Sequence, residues 1–571
     1  MLPREIQRIV LLIGMAATGY LLILAWNNDM EAAKVPTVYS DAPLTSANQQ
    51  TAPVREARQP IADDFAPLEA DMPPTPVTNT PGAIIDADKV GNSGRLIKVE
   101  TPVLQVWIDL LGGDIVRVQL PTYPISLDQA ETPFLLMDQS NRHTYVAQSA
   151  LIGGQGIDRS GSRALFSVPN ANMRFDNGGD LVLRATVDGA QVTKTFSFGA
   201  DSHLIDIEYQ VTNLSQQPKT MRLLTQLKRD RMLPPTDETV PLAPSPYLGG
   251  ALTTAENNYE KVDFDDVDES SFQATTVGGW IAFLQHYFIT AWVAPKDQAT
   301  AYFARKTSDS FYLFGFTGQN QTISPGATAS YKAGFYAGPK DQVVLEKIAP
   351  HLNLTVDYGF LWWIAIPLFK ALTFFHDIVG NWGAAIILLT LLVKGLLAGF
   401  SAKGYRSMAN MRRVAPAMKR LQERYANDRE KLSKEMMALY QKEGANPLGS
   451  CLPMLLPMPV FLALYWVLLE SVELRQAPFI FWINDLAAMD PYFILPLLMG
   501  ASTYLMQALN PQVGDPMQVR MMKLMPIMFT VLFLFFPAGL VLYWLVNNLL
   551  SLAQQTYVYR KVEQEYAAKS K

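Results

Sequence analysis

The sequence predicts a multi-domain chain: an all-α polytopic membrane core, with six transmembrane helices in total, joined to a large all-β domain outside the membrane. Three observations carry this. Residues 384–401 read AAIILLTLLVKGLLAGFS, which as a helix spans about 27 Å, near the thickness of a hydrocarbon core. Residues 94–339 repeatedly alternate apolar and polar positions, the period of half-buried strands. Charge divides along the same line, because residues 27–350 hold 25 Lys and Arg against 37 Asp and Glu, while the remainder holds 22 against 15. A 571-residue chain exceeds one ordinary core, and halves of opposite net charge are expected to face different compartments.

In chain order, residues 1–26 carry Arg4 and Arg8 ahead of an apolar run at 9–25. The run is long for a signal peptide, and Leu24-Ala25-Trp26-Asn27 offers no small-x-small cleavage site. An uncleaved anchor with a cytoplasmic N-terminus is expected. Residues 27–90 are rich in Pro, Ala and Thr and poor in aromatics, a composition that buries too little apolar surface to order itself, so they read as a flexible tether. Residues 91–350 follow as a β-sandwich, with strands expected at RLIKVET, LQVWIDL, DIVRVQL, LVLRATV, VTKTFSF, HLIDIEYQV, IAFLQHYFITAWVA, TAYFARK, SFYLFGF and ATASYKAGFYAGP. His143, His203, His286 and His351 lack metal-ligand spacing, and there is no G-x-S-x-G or paired-carboxylate motif. A docking or spacer role is therefore expected for this domain.

Residues 351–380 contain YGFLWWIAIPLFKALTFFH, aromatic-heavy and interrupted by Pro367 and Lys370. Parity decides between a span and an interfacial helix. Were it a span, the basic segment after Phe400 would share a side with the acidic sandwich, so an interfacial helix on the outer surface is expected. Residues 381–401 form the second span. Residues 402–450 hold 11 Lys and Arg against 5 Asp and Glu in the stretch 402–449 and predict a cytoplasmic helical hairpin turning near Ala426-Asn427-Asp428. One apolar stripe is Met411, Val414, Met418, Leu421 and Tyr425, and the facing one is Leu432, Met436, Leu439 and Tyr440. Residues 451–557 contain spans three to six, the third broken by Pro453, Pro457 and Pro459, the last two turning at Pro537-Ala538-Gly539. Residues 558–571 are a basic cytoplasmic tail with Arg560, Lys561, Lys569 and Lys571. The lone Cys451 excludes an intramolecular disulfide.

Lys394 sits inside the second span, and a cation in the bilayer costs on the order of 2.5–3.5 kcal/mol or more, so it marks a candidate site. Thr390 lies one turn before it, and Gly395 and Ala398 keep that flank small. Two readings stand: a hydrated intramembrane site, or a flexible stem reaching toward the headgroups. Gln507, Asn547 and Asn548 add polar groups, with Tyr543 and Trp544 nearby. No P-loop, G-x-G-x-x-G or metal motif is present, so no cofactor and no enzyme activity are expected. A membrane cavity lined by a cation and amides lowers the cost of taking polar peptide into lipid, which is otherwise several kcal/mol per unsatisfied backbone group. A secondary transporter, or a sugar-binding envelope protein built on the β-domain, remains the alternative at this level.

The segments NPLGSCLPMLLPMPVFLALYWVLLESVELRQAPF, DPYFILPLLMGASTYLMQ and FPAGLVLYWLVNN resemble the YidC membrane protein insertases of Gram-negative bacteria. The order of anchor, outer β-domain, TVDYGFLWWIAIPLFK and EMMALYQKEGANP hairpin is similar too. The resemblance implies a periplasmic supersandwich of the sugar-mutarotase type. It also implies a five-helix insertase core, with a groove open to cytoplasm and lipid, in the inner membrane with both termini cytoplasmic. It further implies a chaperone role, with nascent membrane proteins, the SecYEG and SecDF translocon, the ribosome (through the basic hairpin and C-terminal tail) and membrane lipids as partners. Under it, Lys394, Thr390, Gln507, Tyr543, Trp544, Asn547 and Asn548 are the expected groove residues. Lys394 stands where the family usually has arginine, which keeps the charge but loses the planar fork. Pro457 stands where some relatives have glutamine.

Overall fold

The computed structural model describes residues 95–140, 143–159, 162–170, 172–232, 247–425, 428–443, 456–509 and 516–569. The expected anchor and tether lie outside the described residues. Two large sheets make the β-domain, one of eleven strands, antiparallel except where Leu96–Glu100 pairs with Asn172–Arg174, and an antiparallel one of eight. The eight-stranded sheet is organised by Ala190–Phe198, Leu204–Asn213 and Thr328–Pro339, with Tyr331 opposite Tyr209 and Val192 opposite Val211. Ala190–Phe198 buries every second residue, as its sequence alternation requires. The other sheet places Tyr145–Ile152 between Asp114–Pro124 and Lys219–Arg229.

Tyr145–Ile152 and Lys219–Arg229 are absent from the strands read off the sequence. All eight residues of the first are buried, and ten of the eleven in the second. A strand covered on both faces has no polar alternation to betray it. Ala150, Ile152, Leu224 and Phe303 form a cluster of their own on this sheet, apart from the main core.

Helix α1 (Gln342–Ile348) leaves the sandwich, capped by Asp341, whose carboxylate accepts from Val343 N and Val344 N. Helix α2 (Trp362–Val379) buries Ala365, Leu368, Phe369 and Leu372 on one face and exposes Phe360 (just ahead of it), Trp362, Trp363, Phe374 and Ile378. Among the described residues, the helical stretch Gly359–Val379 is the one long and apolar enough by itself to cross a membrane. Helix α3 (Trp382–Leu396) begins at Asn381, whose side-chain oxygen accepts from Ala384 N while its amide donates to Phe479 O at 3.0 Å.

The second span differs from the expected 381–401. The helix ends at Leu396, and α4 (Ala398–Arg424) departs at 67°. Lys394 therefore occupies the last turn of α3, and Ser401 belongs to the next helix. No proline forces the break; Gly395 and Gly399 flank it with open space around both. Helices α4 and α5 (Arg429–Glu443) form the expected hairpin, in which Met411, Val414 and Met418 pack against Met436, Leu439 and Tyr440.

Helices α6 (Met458–Glu470), α7 (Ile494–Ala508), α8 (Pro516–Phe533) and α9 (Ala538–Lys569) complete the bundle. Asp490, 1% exposed, holds the start of α7 by accepting from Leu495 N, Tyr492 N and Trp482 Nε1. The first two N–H groups of α9 donate to Ala488 O and Leu486 O. Within the expected tail 558–571, α9 runs unbroken to Lys569, and Arg413 of α4 lies 3.9 Å over the Tyr566 ring. Tyr559, Val562 and Tyr566 recur at helical spacing, an amphipathic signal that a count of basic residues passes over.

Candidate functional site

Helix α9 carries the polar face of the bundle. Asn548, 1% exposed, donates through Nδ2 to Ser502 Oγ at 3.0 Å and to Thr503 Oγ1 at 2.9 Å, both on α7. One turn on, Ser551 accepts from the Lys394 amine of α3 at 2.6 Å. Residues three apart share a helix face, so one side of α9 binds α7 and α3 in succession. Past the bend, Gln554 Nε2 donates to Ala398 O at 2.9 Å, which ties α9 to the first turn of α4.

The Lys394 amine thus turns inward, toward a serine 4% exposed, with the Tyr405 ring of α4 at 6.0 Å. Among the described residues no carboxylate pairs with it, so its charge has only a hydroxyl partner. The lipid-ward side of α3 is marked by exposed Leu391, Leu392 and Leu396.

The other expected residues fall in different settings. Thr390 is 1% exposed and donates to Ile386 O of its own helix at 2.7 Å, so it sits inside the bundle. Gln507 is buried and donates to Met522 O of α8, its Oε1 unpartnered among the described residues. Tyr543 is buried in the apolar core beside Phe461. Trp544 packs edge-on to Phe461 at 4.7 Å and near Phe529 and Phe533. Asn547 is buried. Sequence reasoning missed Ser551 and Tyr405. Ser551 had a local signal, one turn beyond Asn547 and Asn548; its pairing with a residue 157 positions away had none.

A second polar arrangement joins the sandwich to the bundle through the α6–α7 connection. Lys340 Nζ donates to Glu470 Oε2 at 2.9 Å, with both side chains largely buried, and the His286 ring bonds Leu469 O at 2.7 Å. Arg475 donates to Pro124 O and Ile125 O and lies over the Phe134 and Phe288 rings. Val472 joins the sandwich's own core. Burial pushes the Glu473 carboxyl up to about 7, with Asp341 adding to it, and lowers the His286 imidazole to about 4. One pocket on the sandwich is lined by Gln298, Gln319, Gln321, Tyr331 and Lys332 without a carboxylate, so it offers no acid–base pair for sugar chemistry. Among the described residues no group of His, Cys, Asp and Glu is arranged to hold a metal.

A large two-sheet sandwich gripping a bundle of short apolar helices defines an integral membrane protein with an outer β-domain. Residues 96–371 match the family described as the YidC periplasmic domain, and residues 374–565 match that described as the 60Kd inner membrane protein. Membrane protein insertase YidC of Pseudomonas fluorescens is 45% identical over 570 residues, covering 98% of each chain. The Cellvibrio japonicus protein of that name is 46% identical over 564 residues, again covering 98% of each. A crystal structure of an active YidC insertase with its first transmembrane domain resolved aligns over 80% of this chain and 92% of that one, at 15% identity and a TM-score of 0.37. The chain belongs to the YidC family of membrane protein insertases. The role its relatives are named for is not enzymatic.

Proposed function

We propose that the protein inserts inner-membrane proteins and assists their folding, by offering an entering polar segment the seam where α3, α7 and α9 meet. The observation that carries this reading is the inward-turned Lys394 amine, bonded to Ser551 and paired with no carboxylate among the described residues. A cation kept inside a thin bundle lowers the cost of bringing acidic or polar peptide into the bilayer. Helices α3, α6 and α7 have 15, 13 and 15 residues. These fall short of the roughly 20 residues that match a bilayer, so they favour a locally thinned membrane. Thr390, Gln507, Tyr543, Trp544, Asn547 and Asn548 shape the surrounding walls rather than contacting the client first.

In this reading the chain crosses six times with both termini cytoplasmic, the anchor 1–26 supplying the first crossing. Helix α2 lies in the outer interface, its Trp362, Trp363 and Phe374 facing lipid. The basic hairpin α4–α5 and the end of α9 then face the cytoplasm, where they suit ribosomal RNA or anionic headgroups. Action alone or beside the SecYEG and SecDF translocon belongs to the same proposal. Purified protein in liposomes is expected to insert a short single-span client without nucleotide. Transport of a small solute with no client inserted would defeat the reading.

A further inference from the structure

Phe481, on the α6–α7 connection, is 85% exposed, more than any other large apolar side chain among the described residues. Its backbone is left-handed, φ 56°, at the first central position of the turn that Ile483 N closes on Ile480 O at 3.2 Å. Glycine or asparagine ordinarily fills such a position, because a Cβ crowds the backbone there. The turn is nevertheless firmly held. Phe479 N donates to Ile483 O at 2.9 Å, Asn381 at the start of α3 donates to Phe479 O at 3.0 Å, and Ala477, Ile483 and Leu486 sit in the bundle's core. The fold gains almost no burial from the Phe481 ring, so glycine would serve the turn better; the ring answers to something outside the chain.

The surroundings say what that is. The Phe481 ring lies beside that of Trp482, whose Nε1 donates to Asp490 Oδ1 at 3.0 Å, and the same oxygen accepts from Tyr492 N at 3.0 Å. Tyr492 is 66% exposed, and Phe493, also left-handed at φ 57°, is 43% exposed. From there the apolar surface runs on into exposed Leu497, Leu498 and Tyr504 of α7, a helix of the membrane bundle. No Lys or Arg lies between Gln476 and Phe493, so nothing in the patch is suited to a phosphate. Arg475 ties the same connection to the sandwich, which puts it at the outer end of the bundle.

We propose that this patch, with Phe481 at its tip, is seated among the acyl chains of the outer leaflet as a rigid lipid-binding edge. Because Asn381 and Asp490 fasten it to the first turns of α3 and α7, it fixes the depth at which those two short helices begin. Neither Lys394 nor client insertion enters into it.

The test uses full-length protein with Cys451→Ser and one introduced cysteine carrying a nitroxide, in phosphatidylethanolamine–phosphatidylglycerol vesicles without other proteins. Phe481→Cys and Tyr492→Cys probe the patch, Leu497→Cys is the lipid reference, and Glu256→Cys, exposed on the sandwich, is the aqueous one. The readout is spin relaxation by oxygen, which concentrates in hydrocarbon, against relaxation by a water-soluble nickel chelate. The label at 481 is expected to match that at Leu497. A nickel-dominated label matching Glu256 overturns the proposal, and is the result for a patch reserved for a protein partner. Should Phe481→Cys fail to fold, Tyr492→Cys carries the test with the same two outcomes. Phe481→Gly, which relieves the turn and removes the ring, is expected to shift the label at 492 toward nickel; an unmoved label overturns the claim that the ring sets the depth.

Discussion

Two of the lysines drawn inside this protein are treated in opposite ways. Lys194, in the sandwich, is 0% exposed and donates to Gly112 O, Gly113 O and Ser149 Oγ at 3.1, 2.7 and 2.8 Å. Around it lie Tyr209, with its ring centroid 4.8 Å away, and the buried Arg163, which bonds Asp114 at 2.8 Å and Asp158 at 3.2 Å. All three ammonium donors are used and counter-charges stand close by. Lys394 has one hydroxyl and the Tyr405 ring, with no carboxylate among the described residues. The first arrangement is complete and rigid; the second is held in place yet unfinished. Burial alone therefore does not single out a candidate working charge; the proposal for Lys394 rests on its unused hydrogen-bonding capacity.

Replacing Lys194 sharpens the contrast most. Lys194→Met leaves two carbonyls and a serine without their donor beside a buried ion cluster, and is expected to cost the folded sandwich about 3–5 kcal/mol. Denaturant unfolding followed by tryptophan fluorescence measures it. Lys394→Met is expected to shift the same transition far less; equal losses would erase the distinction between the two sites. Function runs the other way. Lys394→Glu is expected to reduce liposome insertion of a single-span client about 100-fold, equivalent to about 2.7 kcal/mol, while Lys394→Arg is tolerated because the charge persists. Full activity in the Glu variant would return Lys394 to a snorkelling role.

The same contrast explains what the sequence could reveal. Strands such as Ala190–Phe198 were readable because one face is wetter than the other. Tyr145–Ile152, buried throughout, was not. The hairpin α4–α5 was readable from its facing stripes, since those contacts are local. The bend at Leu397 carries no proline, and one contact beside it, Gln554 with Ala398 O, comes from a helix 156 residues away. Of the site, Lys394 stood out as a cation in an apolar run. Its partner is an ordinary serine, visible only once α3 and α9 are side by side. Lys194 had a local signal that went unused: in VTKTFSF it falls in phase with Val192, Phe196 and Phe198 on the buried face, but the partners that use its donors lie far away in the chain.

The grip of the sandwich on the α6–α7 connection allows a smaller test. Arg475→Ala removes two hydrogen bonds to backbone carbonyls and the packing on Phe134 and Phe288. About 2 kcal/mol of local stability is expected to go with them, seen as faster amide exchange around Pro124 and Ile125. Client insertion is expected to fall much less than in Lys394→Glu, because the contact lies outside the bundle's polar seam. A loss as large as that of the Glu variant would make the β-domain a working part of insertion rather than a docked one.

The smallest expected effect is in pH. Burial lowers the Lys194 ammonium to about 7, with Asp114 opposing, and lowers Lys228 to about 8. Both start from an ordinary value of 10.5, so between about 7 and 10.5 the unfolded chain binds more protons than the folded one. Stability then rises with pH across that window. Above about 10 the trend reverses, because buried tyrosines such as Tyr302 are held protonated by burial when the unfolded chain has begun to ionise. The sandwich transition is therefore expected to gain on the order of 1 kcal/mol between pH 7 and 8. Lys194→Met, less stable at every pH, is expected to show a flatter profile, since the larger of the two shifts is gone. A slope unchanged in that variant would mean Lys194 stays charged in its cage of carbonyls, and that its completeness extends to holding the proton.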